Sequence, residues 1–250
     1  MIETFATPFR SLGRIASDLL FPPICTGCGV GVSQPGGLCP SCWTELRFIE
    51  RPFCDVLCTP FSFDPGDGTV SADAIADPPP FERLRAVVLY DDRARRLVSA
   101  LKYSDRLDLV PLMAAWMARA GRDLLDEADV IVPVPLHRMR LWRRQFNQAA
   151  ELGRRIAAAR GLPFAASALV RVKATRSQVG LRRSQRQSNV RGAFRLSPAG
   201  GAAIAGRRVL LVDDVFTTGA TASSATKALK RAGAASVDVL TFARVAAFEG

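Results

Sequence analysis

The chain has 250 residues, 48% of them apolar, enough to bury a sizeable core as one large domain or as a domain with a small appendage. Its formal charge of +11 is uneven, because Arg138 to Arg195 hold fifteen Arg and Lys against the single acid Glu151, a local +14 that leaves −3 for the remainder. No stretch approaches the roughly 18 uninterrupted apolar residues of a membrane span, and no solenoid-length repeat or low-complexity tract is present, so those architectures drop out.

In chain order, TPFRSLGRIASDLLFPP sets Phe9, Leu12, Ala16 and Leu19 along one helical stripe, while Arg10, Arg14 and Asp18 interrupt any signal-peptide core. It reads as a docking helix, and the protein is expected to be soluble and cytoplasmic. All six cysteines follow, between Cys25 and Cys58. Cys25, Cys28, Cys39 and Cys42 form two C-x-x-C pairs, each able to offer two thiolates from one tight turn, with Gly27 or Gly29 taking the strained backbone angles. This spacing suits a structural, tetrahedral Zn²⁺ with no open position for chemistry. Disulfides are the alternative, disfavoured without an export signal. Cys54 and Cys58 read as leftover core thiols. Residues 1–60 therefore read as an amino-terminal helix plus a four-cysteine zinc module, and 61–82, rich in Pro, Gly, Asp, Ser and Ala, as a linker or irregular lobe.

From residue 83 to 250 strands alternate with helices. RAVVLY, DVIVPVP, ALVRV, VLLVDD and VDVLTFARV read as strands; DRARRLVSALKY, LVPLMAAWMARAGRDLL and QFNQAAELGRRIAAARG read as helices. Such alternation predicts an α/β fold, a parallel sheet with helices on both faces. The stretch VLLVDDVFTTGAT carries the chemistry. Val209 to Val212 read as a buried strand ending at Asp213, and Thr217 to Thr221 lead into an alanine-rich helix ending at Gly233. Acids at a strand's carboxyl end beside the unpaired first amides of a helix make a place for a phosphorylated ligand. The alternative is two acids that cap a helix or pair with an arginine. The basic segment argues for a polyanionic ligand, nucleotide, pyrophosphate or nucleic acid, against the plainer reading of a solvated face.

VLLVDDVFTTGAT resembles the phosphoribosyl pyrophosphate (PRPP) motif of type I phosphoribosyltransferases. Together with PVPLHRMRLWRRQFNQA, ATRSQVGLRRSQRQSNVRGAF and the cysteine module it resembles, over nearly the whole chain, the competence protein F (ComF) family, in which a double zinc ribbon precedes a phosphoribosyltransferase-like domain. The resemblance implies that Asp213 and Asp214 accept the ribose hydroxyls and touch the Mg²⁺ accompanying the diphosphate, and that Thr217, Thr218, Gly219, Ala220 and Thr221 wrap the 5′-phosphate. It implies a pyrophosphate loop at Pro135, His137, Arg138, Arg140, Arg143 and Arg144, whose arginine forks suit phosphate. His137, the sole histidine, is not assigned as a base, and Gln145 stands where relatives have glycine. A flap over 176–194 would close on the reaction centre through Arg176 and Arg186 as catalytic residues, with Gln178 and Asn189 beside them.

Relatives often carry eight cysteines; here Ser71 and Ala74 stand where the last pair is expected, so one zinc per chain follows. The function implied is a PRPP-binding phosphoribosyltransferase-like protein linked to DNA uptake and natural transformation. A catalytically silent phosphate sensor or a single-stranded DNA-binding accessory protein is the alternative. Implied partners are PRPP or a related phosphorylated ribose, single-stranded DNA, and a DNA-uptake helicase or other competence proteins.

Overall fold

The structure is a computed structural model, and it describes residues 22–33, 36–103, 106–137, 139, 141, 142, 146–173 and 192–246. The chain divides into two compact units, Met1–Glu45 and Leu46–Gly250. The boundary expected at residue 60 falls inside the second unit, and the amino-terminal docking helix lies outside the described residues.

In the first unit, Ile24 bridges Gly31 across a tight turn, and helix α1 (Pro40–Thr44) starts at Cys39, whose sulfur accepts the amide of Cys42 at 3.4 Å. The second unit begins with irregular chain and a short helix, α2 (Ala72–Ala76). Strand β1 (Leu84–Leu89) is followed by α3 (Asp92–Tyr103), α4 (Val110–Ala120), α5 (Arg122–Glu127), β2 (Val130–Pro133) and α6 (Gln148–Arg160). Then come β3 (Leu169–Arg171), β4 (Phe194–Leu196), α7 (Gly200–Ile204), β5 (Arg208–Phe216), α8 (Ala220–Arg231) and β6 (Ser236–Arg244).

Four strands form one parallel sheet in the order β1-β6-β5-β2. Its strands are apolar on both sides, and helices cover both. One face presents Val130, Val132, Val209, Leu211, Val237 and Val239 to Ala225 and Leu229 of α8. The alternate residues meet the other helices: Trp116 of α4 stacks on Phe242, and Gly153 of α6 lies where an added Cβ would meet Ile131 and Val212. The expected α/β architecture is therefore present, with three local corrections.

The segment read as one helix from Leu109 to Leu125 is divided at Gly121, whose φ −102°, ψ 27° leave helical geometry; no side chain fits there, since a Cβ would stand 2.7 Å from Leu240 Cδ1. ALVRV does not join the parallel sheet; β3 pairs antiparallel with β4 in a separate two-stranded sheet. The VLLVDD strand does not stop at Asp213 but continues to Phe216, since β6 stays in register beside it, Asp213 against Thr241 and Val215 against Ala243.

Candidate functional site

Because side chains alternate along a strand, placing both acids inside β5 sends them to opposite sides of the sheet. Asp213 Oδ1 accepts the amide of Asp214 at 2.9 Å. Asp214 Oδ2 lies 2.9 Å from Nζ of Lys102, in the last turn of α3, with both side chains largely buried. Burial opposes the charge on Lys102, but the carboxylate of Asp214, and behind it Asp213, hold its pKa above the usual lysine value. Asp213 is shifted the other way, pushed up to about 7 first by burial and then by the charge of Asp214, against the lowering effect of the Asp214 amide, Lys102 and Arg171. The pair thus holds a proton near neutrality, flanked by two cations.

Beyond β5 the chain turns at Gly219, φ +77°, which precedes α8. A side chain there is barred twice, by the positive φ and by Phe216 Cζ, 2.8 Å from where its Cβ would sit. The Thr218 hydroxyl is buried in this turn with no hydrogen-bond partner among the described residues. A buried unsatisfied hydroxyl costs on the order of 1–3 kcal/mol, so it is a place where a ligand oxygen would be stabilising. Thr217, Thr218, Gly219, Ala220 and Thr221 all lie on this turn and the first residues of α8, next to the acids.

The loop after β2 is tied to the same end of the sheet. Val134 donates its amide to Val212 O at 2.9 Å, one residue before the acid pair. Asn147 caps α6 by accepting the amide of Ala149 at 3.1 Å while its Nδ2 donates to Val134 O at 3.0 Å. Pro135 follows this anchor. His137 Nδ1 accepts the Met139 amide at 3.3 Å, so the ring serves the loop's own turn. Arg138, Arg140, Arg143, Arg144 and Gln145 lie outside the described residues, as do Arg176, Gln178, Arg186 and Asn189 of the expected flap.

Sequence reasoning passed over Lys102, Arg171 and Asn147. Lys102 stands four residues after Val98, at the margin of the stripe formed by buried Leu97, Val98 and Leu101, where a charge needs a partner. Arg171 shares the buried face of β3 with Leu169 and lies over the Phe194 ring, 5.4 Å from its centroid. A cation on a strand's inner face was the available signal.

The other site is the cysteine cluster. The sulfurs of Cys25, Cys28, Cys39 and Cys42 all lie within 4.8 Å of one another, and Cys28 and Cys39 approach to 3.6 Å. Tetrahedral Zn–S bonds of about 2.3 Å set sulfurs about 3.8 Å apart, so this donor set fits one zinc ion. All six cysteines are free thiols, which removes the disulfide alternative. Amides of Gly27 and Cys39 donate to Cys25 Sγ at 3.3 and 3.2 Å. Burial raises the Cys25 pKa, but these bonds outweigh it and bring it to about 6, favouring the thiolate a metal needs. Gly27 is required sterically, since its Cβ would stand 2.9 Å from Cys42 Sγ, and Gly29 conformationally, at φ +81°.

Residues 16–75 match the double zinc ribbon domain, and residues 157–248 match the phosphoribosyl transferase domain. DNA utilization protein YhgH of Salmonella typhimurium is 32% identical over 227 residues, 88% of this chain and 90% of that protein. Competence protein F of Haemophilus influenzae is 28% identical over 213 residues, 83% of this chain and 90% of that one. Competence protein ComFC of Bacillus subtilis is 26% identical over 216 residues, 83% and 84% of the two chains. Among solved structures, orotate phosphoribosyltransferase from Aeropyrum pernix aligns loosely, with a TM-score of 0.34 and 14% identity over 64% of this chain and 80% of that one. Among the described residues no helix is long and apolar enough to cross a membrane.

Proposed function

This chain belongs to the competence protein F family, and on that premise we propose that it binds PRPP or a related phosphorylated ribose where β5 meets α8. The observation that carries the reading is an acid pair inside β5 followed, within five residues, by a turn that buries a hydroxyl, Thr218 Oγ1, with no partner among the described residues. Ribose hydroxyls are donors and need acceptors, which Asp213 and Asp214 supply. A 5′-phosphate needs donors, and the turn from Thr217 to Thr221 offers hydroxyls and the first amides of α8, with Gly219 permitting close approach. Lys102 already engages Asp214. A magnesium ion arriving with the diphosphate would therefore keep most of its water and meet the chain at Asp213.

The loop of Pro135, His137, Arg138, Arg140 and Arg144 is assigned to the pyrophosphate end, and Arg176 and Arg186 to a closing flap that adds positive charge opposite a departing pyrophosphate. The reaction class this arrangement serves is displacement of pyrophosphate from the ribose. The names of the relatives support placing the protein in DNA utilization or uptake. Single-stranded DNA, a DNA-uptake helicase or another competence protein would be the partner, in the cytoplasm.

Calorimetric titration with PRPP and Mg²⁺ tests the site. Wild type should bind, and Asp213→Asn with Asp214→Asn should abolish binding while the chain stays folded; unchanged affinity in the folded double variant rejects the assignment. A second reading, binding of single-stranded DNA, is favoured by the +14 segment from Arg138 to Arg195. Its mark is a log–log salt slope of about −0.7 per phosphate neutralised, flattened by replacing Arg182, Arg183 and Arg186 with Ala. A salt-insensitive interaction would leave PRPP binding alone.

A further inference from the structure

Residues 51–77 repeat the hydrogen bonding of residues 22–45, bond by bond, although only one of the four metal ligands is retained. In the first ribbon the Cys25 amide donates to Val30 O at 2.6 Å, the Gly29 amide to Cys25 O at 2.8 Å and the Val32 amide to Pro23 O at 2.9 Å, while Ile24 bridges Gly31. About 29 residues on, the same three bonds recur: Cys54 to Thr59 O at 2.8 Å, Cys58 to Cys54 O at 2.8 Å and Phe61 to Pro52 O at 3.0 Å, while Phe53 bridges Pro60.

The second arm repeats with three more residues in the connection. The Thr26 amide donates to Gly37 O at 3.1 Å in one copy, and the Asp55 amide to Thr69 O at 3.0 Å in the other. Cys39 precedes a five-residue helix at φ −70°, ψ 160°; Ser71 precedes another five-residue helix at φ −68°, ψ 154°. The Cys39 amide donates to Cys25 Sγ at 3.2 Å, and the Ser71 amide to Cys54 Sγ at 3.2 Å.

This register identifies what stands at each ligand position. Cys54 takes the place of Cys25, Leu57 of Cys28, Ser71 of Cys39 and Ala74 of Cys42, and Ala74 is as buried as the cysteine it replaces. Cys58 is not a ligand position. It falls on Gly29, shares its positive φ at +53°, and places its sulfur 4.0 Å from Ala86 O of β1. The residues do not fit a second zinc: one thiol, one hydroxyl and two aliphatic side chains cannot close a tetrahedral site.

A knuckle without metal needs another source of order, and two buried arginines supply it. Arg85 of β1 donates from Nη1 to Asp55 O at 2.7 Å and pairs through Nη2 with Asp55 Oδ1 at 3.3 Å. Arg244 of β6 donates from Nη1 to Leu57 O and to Thr59 Oγ1. The two arginines are only 2% and 4% exposed, so these bonds are made out of water, where charge-assisted hydrogen bonds are strongest. The Leu84 amide adds a bond to Val56 O at 2.8 Å. Three consecutive carbonyls of the knuckle, at Asp55, Val56 and Leu57, are therefore held by the parallel sheet.

We propose that residues 51–77 are a metal-free copy of the zinc ribbon, held from outside by Arg85 and Arg244 where the first ribbon is held from inside by zinc, and that three cysteines would restore its site. Metal content of the full chain tests this. Wild type and Cys54→Ser should each return one zinc per chain, and Leu57→Cys with Ser71→Cys and Ala74→Cys should return two. In the cobalt-loaded triple variant the thiolate-to-metal absorption should double. Two zincs in wild type, zinc loss in Cys54→Ser, or a single zinc in the folded triple variant would overturn the proposal. Should the triple variant not fold, hydrogen exchange on wild type with a chelator decides. The Cys25 and Gly29 amides should lose protection while those of Cys54 and Cys58 keep it, and loss at both overturns the proposal. Arg244→Met should expose the Cys54 and Cys58 amides with the zinc count unchanged; retained protection there overturns the role given to the arginine.

Discussion

The cysteine cluster and the acid pair both crowd like charges together, and they resolve the crowding in opposite ways. Cys25, Cys28, Cys39 and Cys42 come from one short stretch of chain, and a single dication suits all four sulfurs at once. Asp213 and Asp214 are adjacent in sequence, but their compensation is gathered from afar: Lys102 from α3, Arg171 from β3, and a proton retained on Asp213. The first arrangement is all-or-none, because three thiolates do not hold what four hold. The second is graded, since each cation can be removed while the others remain, and a proton can make up part of the loss. One site should fail as a unit and the other by increments.

The largest effect is expected where the arrangement is all-or-none. Cys39→Ser removes a ligand and, with it, the sulfur that accepts the Cys42 amide at the start of α1, in a module whose metal-binding free energy is on the order of 10 kcal/mol. Zinc should be lost and residues 22–45 should become sensitive to protease, while thermal unfolding of the Leu46–Gly250 unit is unchanged. Zinc retained in that variant would show that the cluster too is graded, and the contrast would fail.

An intermediate effect is expected at Lys102. Lys102→Met leaves Asp214 largely buried without its cation, a change that typically costs about 3 kcal/mol. Asp213 loses one of the charges that lower its pKa, so its titration should move further up. Urea midpoints measure the loss, and adding Asp214→Asn should recover most of it, because no stranded charge then remains. A loss below about 0.5 kcal/mol would mean that water serves Asp214 as well as the lysine does.

The same difference explains what could be read from the chain before its fold was known. Ligand spacing is local, so the four thiolates, the glycines beside them and the β5–α8 turn with its acids were all legible. Lys102 and Arg171 were not, because nothing in their own segments says that a strand end more than forty residues later carries the matching charge. The strand's true end at Phe216 was hidden for a related reason: two acids look like a terminus unless β6 is known to run beside them. The close packing of Gly121 on Leu240 was hidden in the same way, being again a distant contact. The family resemblance marked Ser71 and Ala74 as the place of the second ribbon's last ligand pair, but the register of its first pair was hidden: Leu57 stands where Cys28 does and Cys58 where Gly29 does, and only the backbone hydrogen bonds show it.

The smallest effect, and the one that best separates proton from cation in the graded site, is the pH dependence of Asp213. Its pKa is raised to about 7 by burial and by Asp214, so the folded chain keeps a proton that the unfolded chain gives up near pH 4. Stability from that proton is fully present below about pH 4 and is lost as pH rises through about 7. Glu127 and Asp108, lowered by their arginine partners Arg83 and Arg106, work the other way, contributing above pH 4 and losing it in acid, so the whole-protein profile mixes signs. Comparing wild type with Asp213→Asn removes those shared contributions. The variant should gain stability relative to wild type across roughly pH 4 to 7 and level off above. A ligand whose hydroxyls need the carboxylate must expel the same proton, so PRPP affinity should rise with pH over this window. Its calorimetric enthalpy should then vary with the ionisation heat of the buffer. A difference between wild type and variant that stays flat from about pH 4 to 8 would mean that Lys102 and Arg171 neutralise the pair alone, with Asp213 ionised throughout.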